Sequence, residues 1–321
     1  MDEHCFDARP VVRKTRLNVL PPNPEIASET RAVGLGRFPS WLHRKLPKGS
    51  GLAETGRVIE GQRLNTVCEE ASCPNLLECW SKKTATFLAM GRECSRSCGF
   101  CSISFSKAPP PLDEEEPDRI AESVKQLGLR HVVITMVARD DLPDGGALHL
   151  SRIVAAIRAQ NPESTVELLT SDFLGNQTAW DSVLEAKPEV FNYNIETVKA
   201  LTPKVRHTAT YDRTLQFLHY ASTHKKNNNM RIKSGLMAGL GETDEEIQET
   251  IRDLYQAGCN IVTIGQYLQP DRHKLLVKRF VSPEQFEAYA AYGRSIGVPY
   301  MHCGPFVRSS YNAGSISQYN E

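Results

Sequence analysis

From about residue 84 the sequence alternates short β-prone runs with helix-length amphipathic stretches, a rhythm that few folds satisfy. Thr84-Ala85-Thr86-Phe87-Leu88 is the first such run. Pro117 can open a helix whose Ile120, Val124 and Leu127 share one face before Gly128 ends it. The next run, from His131 to Val137, is apolar enough to be buried on both faces. A helix is expected after Gly146, a strand from Thr165 to Thr170, a helix from Ala179 to Ala186 and a strand from Val190 to Ile195. The pattern continues with a helix from Tyr211 to Thr223, a strand from Ile232 to Met237 and a helix from Asp244 to Ala257. A strand from Ile261 to Tyr267 and a helix from Pro283 to Ile296 complete it. Strands separated by helices pair in parallel. Six or so such units favour an α/β barrel, full or partial, with a doubly wound sheet as the alternative. In a barrel, the chemistry sits at the C-terminal ends of the strands.

The 321 residues suffice for one barrel with a large core. Lys plus Arg and Asp plus Glu both number 38, so no global basic field argues for nucleic acid. Arg13-Lys14-Thr15-Arg16 and His43-Arg44-Lys45 read as solvated surface. No apolar run approaches the roughly 18 residues that span a membrane. The acidic start, Met1-Asp2-Glu3-His4, lacks the apolar region of a secretory signal and the character of a transit peptide. A cytoplasmic protein without membrane contact is expected, with its thiols reduced. The first 60 residues, punctuated by Pro21-Pro22-Asn23-Pro24 and Gly34-Leu35-Gly36, read as an extended arm with at most a short helix from Trp41 to Leu46.

Of the nine cysteines, six lie between residues 68 and 101. In a reducing compartment such a cluster points to metal, not disulfides. Cys94, Cys98 and Cys101 are spaced C-x3-C-x2-C directly after the first strand. Three thiolates can hold three irons of a cubane and leave the fourth open to an outside ligand. A zinc knuckle or a redox loop is the other reading, but structural zinc usually takes four ligands, often as paired C-x2-C units. Cys68, Cys73 and Cys79 form a second triplet, C-x4-C-x5-C. Six thiolates exceed the needs of one cubane, so two sites are expected. Cys259 and Cys303 read as core thiols, and Cys5 is given no role.

The first triplet, with Phe100 just before its last cysteine, closely resembles the radical S-adenosylmethionine superfamily. The run Val67-Cys68-Glu69-Glu70-Ala71-Ser72-Cys73-Pro74-Asn75, then Glu78-Cys79-Trp80 and Arg308-Ser309-Ser310-Tyr311, resembles the lipoyl synthase family within it. So do Arg139-Asp140-Asp141-Leu142-Pro143-Asp144-Gly145-Gly146, Ser234-Gly235-Leu236-Met237, Gly239-Leu240-Gly241-Glu242 and Gly265-Gln266-Tyr267-Leu268-Gln269-Pro270. The motifs stand in the family's order from about residue 57 to residue 314.

The resemblance implies a radical-SAM-type partial (βα)6 parallel barrel with N-terminal and C-terminal extensions. The expected divisions are an arm over 1–66, an auxiliary-cluster segment over 67–83, the barrel over 84–300 and a C-terminal extension over 301–321. It implies two [4Fe–4S] clusters and S-adenosylmethionine. Cys94, Cys98 and Cys101 are then the ligands of the cluster that binds S-adenosylmethionine. Cys68, Cys73, Cys79 and Ser310 are those of an auxiliary cluster, with Ser309 second to Ser310 and a turn or helix cap as the other reading of both serines. A serine oxygen is a poorer iron ligand than thiolate, which suits a cluster consumed as sulfur donor. The implied reaction inserts two sulfur atoms at C6 and C8 of an octanoyl group on a carrier lysine. The implied partners are 2-oxoacid dehydrogenase E2 subunits, the glycine cleavage H protein, and an electron donor such as ferredoxin or flavodoxin.

Asn194 and Glu196 end the fourth strand, two residues apart and so on one side. They are candidates for the ribose hydroxyls or amino group of S-adenosylmethionine, and Arg206 for its carboxylate. Asp140 and Asp141 can cap the next helix or hold Arg139. Gly235, Gly239 and Gly241 read either as an adenosine-lining segment or as a tight strand-to-helix turn. Ala138, Tyr193 and Arg231-Ile232-Lys233 depart from the commoner family pattern of Asp, His and Pro-Thr-Lys. No side chain is expected to be catalytic itself, because the cofactors carry the radical chemistry.

Overall fold

The structure is a computed structural model that describes residues 38–43, 51–224, 226 and 229–314. Cys5 and the other features of the first 37 residues lie outside them. The short helix expected from Trp41 is a single 3-10 turn, Ser40–Leu42, and residues 44–46 lie outside the described set.

Seven strands form one parallel sheet: β1 (Thr86–Ala89), β4 (His131–Met136), β5 (Thr165–Leu169), β6 (Val190–Asn192), β7 (Arg231–Ala238), β8 (Ile261–Gln266) and β9 (Tyr300–Gly304). Between β1 and β4 a small parallel ribbon pairs β2 (Glu93–Cys94) with β3 (Ser104–Phe105). The large sheet runs β1-β4-β5-β6-β7-β8-β9 and never doubles back. A doubly wound sheet reverses direction at a switch point, so the partial barrel stands.

Helices at Glu116–Leu127, Ala147–Gln160, Gln177–Glu185, Tyr211–Thr223, Asp244–Gln256 and Pro283–Ser295 link the strands. Their ends follow local chemistry. Gly128 takes the left-handed conformation (φ 63°) that stops its helix. Thr243 and Glu246 bond reciprocally to cap theirs.

Two segments differ from the sequence reading. Residues Gly51–Gly61 form a helix where an extended arm was expected. Its glycines permit close approach. A Cβ at Gly51 would lie 2.4 Å from the Ser81 carbonyl oxygen, and one at Gly56 would lie 3.3 Å from the Trp80 ring. The Thr55 hydroxyl donates to the Trp80 carbonyl (3.0 Å). Tertiary packing therefore makes a helix that propensity disfavours. The second difference is β9, which crosses the expected boundary between residues 300 and 301 and pairs with β8 from Ile261–Tyr300 to Gly265–Gly304.

Paired residues of parallel strands share a face. On one face Glu167, Asn192 and Lys233 meet: Lys233 Nζ lies 2.9 Å from Glu167 Oε1, and Asn192 Nδ2 donates to the same oxygen (2.8 Å). All three are fully buried.

Candidate iron–sulfur sites

The loop from Cys94 to Cys101 leaves the C-terminal end of β1 and is tied down by backbone bonds. Ser95 N donates to Ala138 O (2.9 Å), Gly99 N to Val205 O (2.9 Å), and Leu275 N to Gly99 O (3.0 Å). The amides of Arg96 and Ala138 lie 3.4 and 3.3 Å from Cys94 Sγ. Such donors stabilise a ligating thiolate. Burial pushes Cys98 up to about 12, with the Cys101 and Cys94 charges adding to the rise. Burial likewise raises Cys101 to about 11, and Cys94 acts on it in the same direction. The three sulfurs thus feel one another in a poorly solvated loop.

Arg96, between the first two cysteines, is buried and carries a charge network that the sequence reading missed. Its Nε and Nη2 each lie 2.7 Å from an oxygen of Asp140, and Nη2 lies 2.7 Å from Asp172 Oδ1. Asp172 is completely buried and is held from its other side by Arg213 Nε (2.6 Å). Asp140 therefore anchors the cysteine loop, while Asp141 holds Arg139 (2.8 Å) and Asp144 caps the following helix through Gly146 N and Leu148 N.

The second triplet spans two short helices, Val67–Glu70 and Leu76–Ser81, the first capped by Thr66. Cys68 is pushed up to about 11 by burial and then by Cys73, and Cys79 to about 12 by burial and then by Cys68 and Cys73. The C-terminal segment comes back onto these helices. Asn75 Nδ2 donates to Phe306 O (2.8 Å), and the Tyr311 hydroxyl donates to Glu78 Oε1 (3.0 Å). Arg308-Ser309-Ser310-Tyr311 is thereby brought beside the second triplet. The two serines differ: Ser309 Oγ bonds the Asn194 amide (2.7 Å), whereas Ser310 makes no side-chain hydrogen bond among the described residues.

Asn194 and Glu196 lie just past β6, which ends earlier than expected, at Asn192. They do share a side, since Asn194 Nδ2 donates to Glu196 Oε1 (3.0 Å). Glu196 has a left-handed backbone (φ 66°), held by bonds to Gly235 O and Met237 N (both 2.9 Å). Such strain persists only where surrounding structure fixes it. Burial raises the Glu196 pKa, against the pull of Arg206.

Arg206 is largely committed to the protein. It bonds Asn194 O (2.6 Å), the Tyr193 hydroxyl (3.2 Å) and the Thr214 hydroxyl, and stacks over the Tyr193 ring at 5.2 Å. Only its buried Nε lacks a partner among the described residues. Gly235 and Gly239 press on protein atoms: added Cβ atoms would lie 2.5 Å from Thr263 Oγ1 and 2.2 Å from Gln266 Nε2. Gly239 (φ 103°) sits in the expected strand-to-helix turn, whereas Gly235 lies within β7, where its lack of a side chain permits close packing rather than a turn. Cys259 and Cys303 pack in or against the core.

The donor sets fit iron–sulfur clusters. Each offers three soft thiols, buried or half-buried, and all eight described cysteines are free. Among the described residues no group of His, Cys, Asp or Glu is gathered tightly enough for a single metal ion. Cubane thiolates each take a different iron and stand farther apart.

Residues 88–254 match the model of the Radical SAM superfamily. The chain is 65% identical to a lipoyl synthase of Protochlamydia amoebophila, covering 94% of this chain and 93% of that one. It is 52% identical to a lipoyl synthase of Chlamydia felis (87% and 89% covered) and 49% identical to one of Chlamydia muridarum (92% and 94%). Among solved structures, Streptococcus suis SuiB bound to S-adenosylmethionine shares the fold with a TM-score of 0.54 at 13% identity, covering 67% of this chain and 49% of that one. HydG, a maturase of the [FeFe]-hydrogenase, gives 0.51 at 14% identity (78% and 62%).

Proposed function

The chain belongs to the lipoyl synthase family of radical S-adenosylmethionine enzymes, and we propose how its residues divide that family's work. The reaction inserts two sulfur atoms at C6 and C8 of a protein-bound octanoyl-lysine, giving lipoyl-lysine, with two [4Fe–4S] clusters and S-adenosylmethionine as cofactors. Those carbons are unactivated, so no side-chain base can remove their protons. When bound, the clusters and S-adenosylmethionine supply the carbon radical that takes the hydrogen atoms and the sulfur that replaces them.

Cys94, Cys98 and Cys101 hold the cluster that binds S-adenosylmethionine. Cys68, Cys73, Cys79 and Ser310 hold the auxiliary one. Asn194 and Glu196 contact S-adenosylmethionine from the strand ends. Arg206 fixes the backbone of Asn194, and its buried Nε, without a partner among the described residues, would be left for the carboxylate of the same ligand. One observation carries this reading: the bonds Asn75–Phe306 and Tyr311–Glu78 bring the C-terminal serine motif onto the second triplet. The commitment of Ser309 to Asn194 supports Ser310 as the ligand.

The substrates are octanoylated carrier proteins, of which we infer E2 subunits of 2-oxoacid dehydrogenases and the glycine cleavage H protein. Ferredoxin or flavodoxin is the inferred electron donor. A cytoplasmic site of action accords with the free thiols, and no helix among the described residues is long and apolar enough to cross a membrane.

Anaerobic turnover of an octanoylated peptide, read by mass, tests the assignment. Cys94→Ala should abolish S-adenosylmethionine cleavage. Cys68→Ala and Ser310→Ala should retain cleavage but lose sulfur transfer, whereas Ser309→Ala should keep most of it. The reconstituted protein should hold about eight irons, from two four-iron clusters. Sulfur transfer by Cys68→Ala at the parent rate would overturn the division of labour.

A further inference from the structure

Resting on that reading, we propose that the outer flank of the Cys94–Cys101 loop is a docking surface for an acidic one-electron carrier protein. Two segments lean on this loop. Gly99 N bonds Val205 O at the end of the Thr202–Val205 helix, and Leu275 N bonds Gly99 O. The approach is close: a Cβ at Gly99 would lie 3.0 Å from Leu275 Cδ1 and 3.3 Å from Lys204 O. These covering segments bring Lys204 and Arg272, both exposed, and Lys274, half-buried, next to the loop.

The β2–β3 ribbon borders the same loop. Phe105 is the register partner of Cys94, yet 51% of its surface is exposed. Arg92 and Lys107 flank the ribbon and are exposed. Among the described residues none of these five cations forms an ion pair, whereas nearby Lys199 and Arg279 are matched to Asp212 and Asp244. Glu93 and Asp271 are the acids in these stretches, and Asp271 already accepts from His273 N (2.7 Å). A neutral chain thus carries a local positive excess around its cysteine loop.

The face of this loop toward the strand ends is committed to cofactor and substrate, so an electron from another protein enters from the outer flank. An exposed aromatic framed by unpaired cations suits an acidic partner. The ring supplies an anchor, and the charges steer encounter and set orientation. One electron leaves the carrier, which is oxidised by one, and the loop's cluster is reduced by one; no atom or proton moves.

The test uses the anaerobic holoenzyme with oxidised flavodoxin as the acidic probe, titrated by calorimetry at low and high salt. The double variant Lys204→Glu/Arg272→Glu, and separately Phe105→Ser, should weaken binding at least tenfold. S-adenosylmethionine cleavage driven by reduced flavodoxin should fall comparably, while cleavage driven by dithionite stays unchanged. Unaltered flavodoxin affinity overturns the proposal, as does an equal loss with both reductants. It is also overturned if the variants instead raise KM for the octanoylated carrier under dithionite, which assigns the surface to the substrate. Failure of the parent protein to convert the carrier under dithionite would count against the lipoyl synthase assignment and leave the flavodoxin affinities to be judged alone.

Discussion

Arg96 sits inside the cysteine motif, and its guanidinium fixes where that loop can lie. Three of its contacts are 2.7 Å long and end on two carboxylates from different strand ends. Burial pushes the Asp172 carboxyl up, but the Arg96 and Arg213 guanidiniums more than offset this and hold it low. Removing one partner of a buried pair leaves an uncompensated charge, at a cost of about 3–5 kcal/mol. Asp172→Asn should therefore lower the denaturation midpoint and loosen the loop, leaving about four irons of the usual eight. Arg96→Lys keeps the charge but loses the planar fork. It should restore more iron than Arg96→Ala, a difference that iron analysis and the spectrum of the reduced cluster would show. Equal iron in Asp172→Asn and the parent would remove the positioning role. The nearby commitment of Arg206 has a similar lesson. Tyr193, which departs from the commoner family residue, uses its hydroxyl and ring to hold that arginine.

The helix Gly51–Gly61 shows how one element controls another's chemistry. It lies against Leu76–Ser81, the helix that carries Cys79. Gly51→Ala puts a methyl 2.4 Å from a carbonyl oxygen, so one helix must move. Overpacking of this kind costs about 1–3 kcal/mol. The expected result is selective loss of the auxiliary iron, with S-adenosylmethionine cleavage retained; loss of cleavage as well would show that the two sites are not separable. This helix was not legible in the sequence because glycine reads as a breaker until its neighbour is known. The inner strands and the six linking helices were legible, since β4 and β8 are near-continuous apolar runs and helices such as Glu116–Leu127 have one apolar face and a glycine stop. The strand β9 was not, because Tyr-Met-His-Cys-Gly has no clean alternation and pairs only because β8 offers an edge. The cysteine triplets and the Asn194–Glu196 pair could be read from spacing. The partners of Arg96 could not, because Asp140 and Asp172 reach it only through the order of the strands.

Across the whole molecule, the interior of the barrel is unusual in being charged. Lys233 and Glu167 are joined there by Asn192. His131 bonds Thr165 (2.8 Å) and lies 3.7 Å from Glu167. Burial alone would push the Glu167 carboxyl up. The Lys233 ammonium and His131 more than offset it and bring it to about 2, from an ordinary value of 4.5. The folded value is depressed, so the stabilisation is complete above about pH 4.5 and is lost as pH falls toward 2. This one group therefore contributes acid sensitivity to the fold between those limits. Single removal of either partner strands a charge and confuses the reading. The double variant Glu167→Gln/Lys233→Met removes both charges and keeps similar volumes, so its stability should fall less steeply between pH 4.5 and 2 than that of the parent. Chemical denaturation across that window, followed by circular dichroism, measures the difference in slope directly. Parallel curves would mean that acid unfolds the barrel through other carboxylates, such as Asp172 beneath the cysteine loop. Convergent slopes above pH 4.5 with divergence below would assign the acid limit of the fold to the charged floor of the barrel.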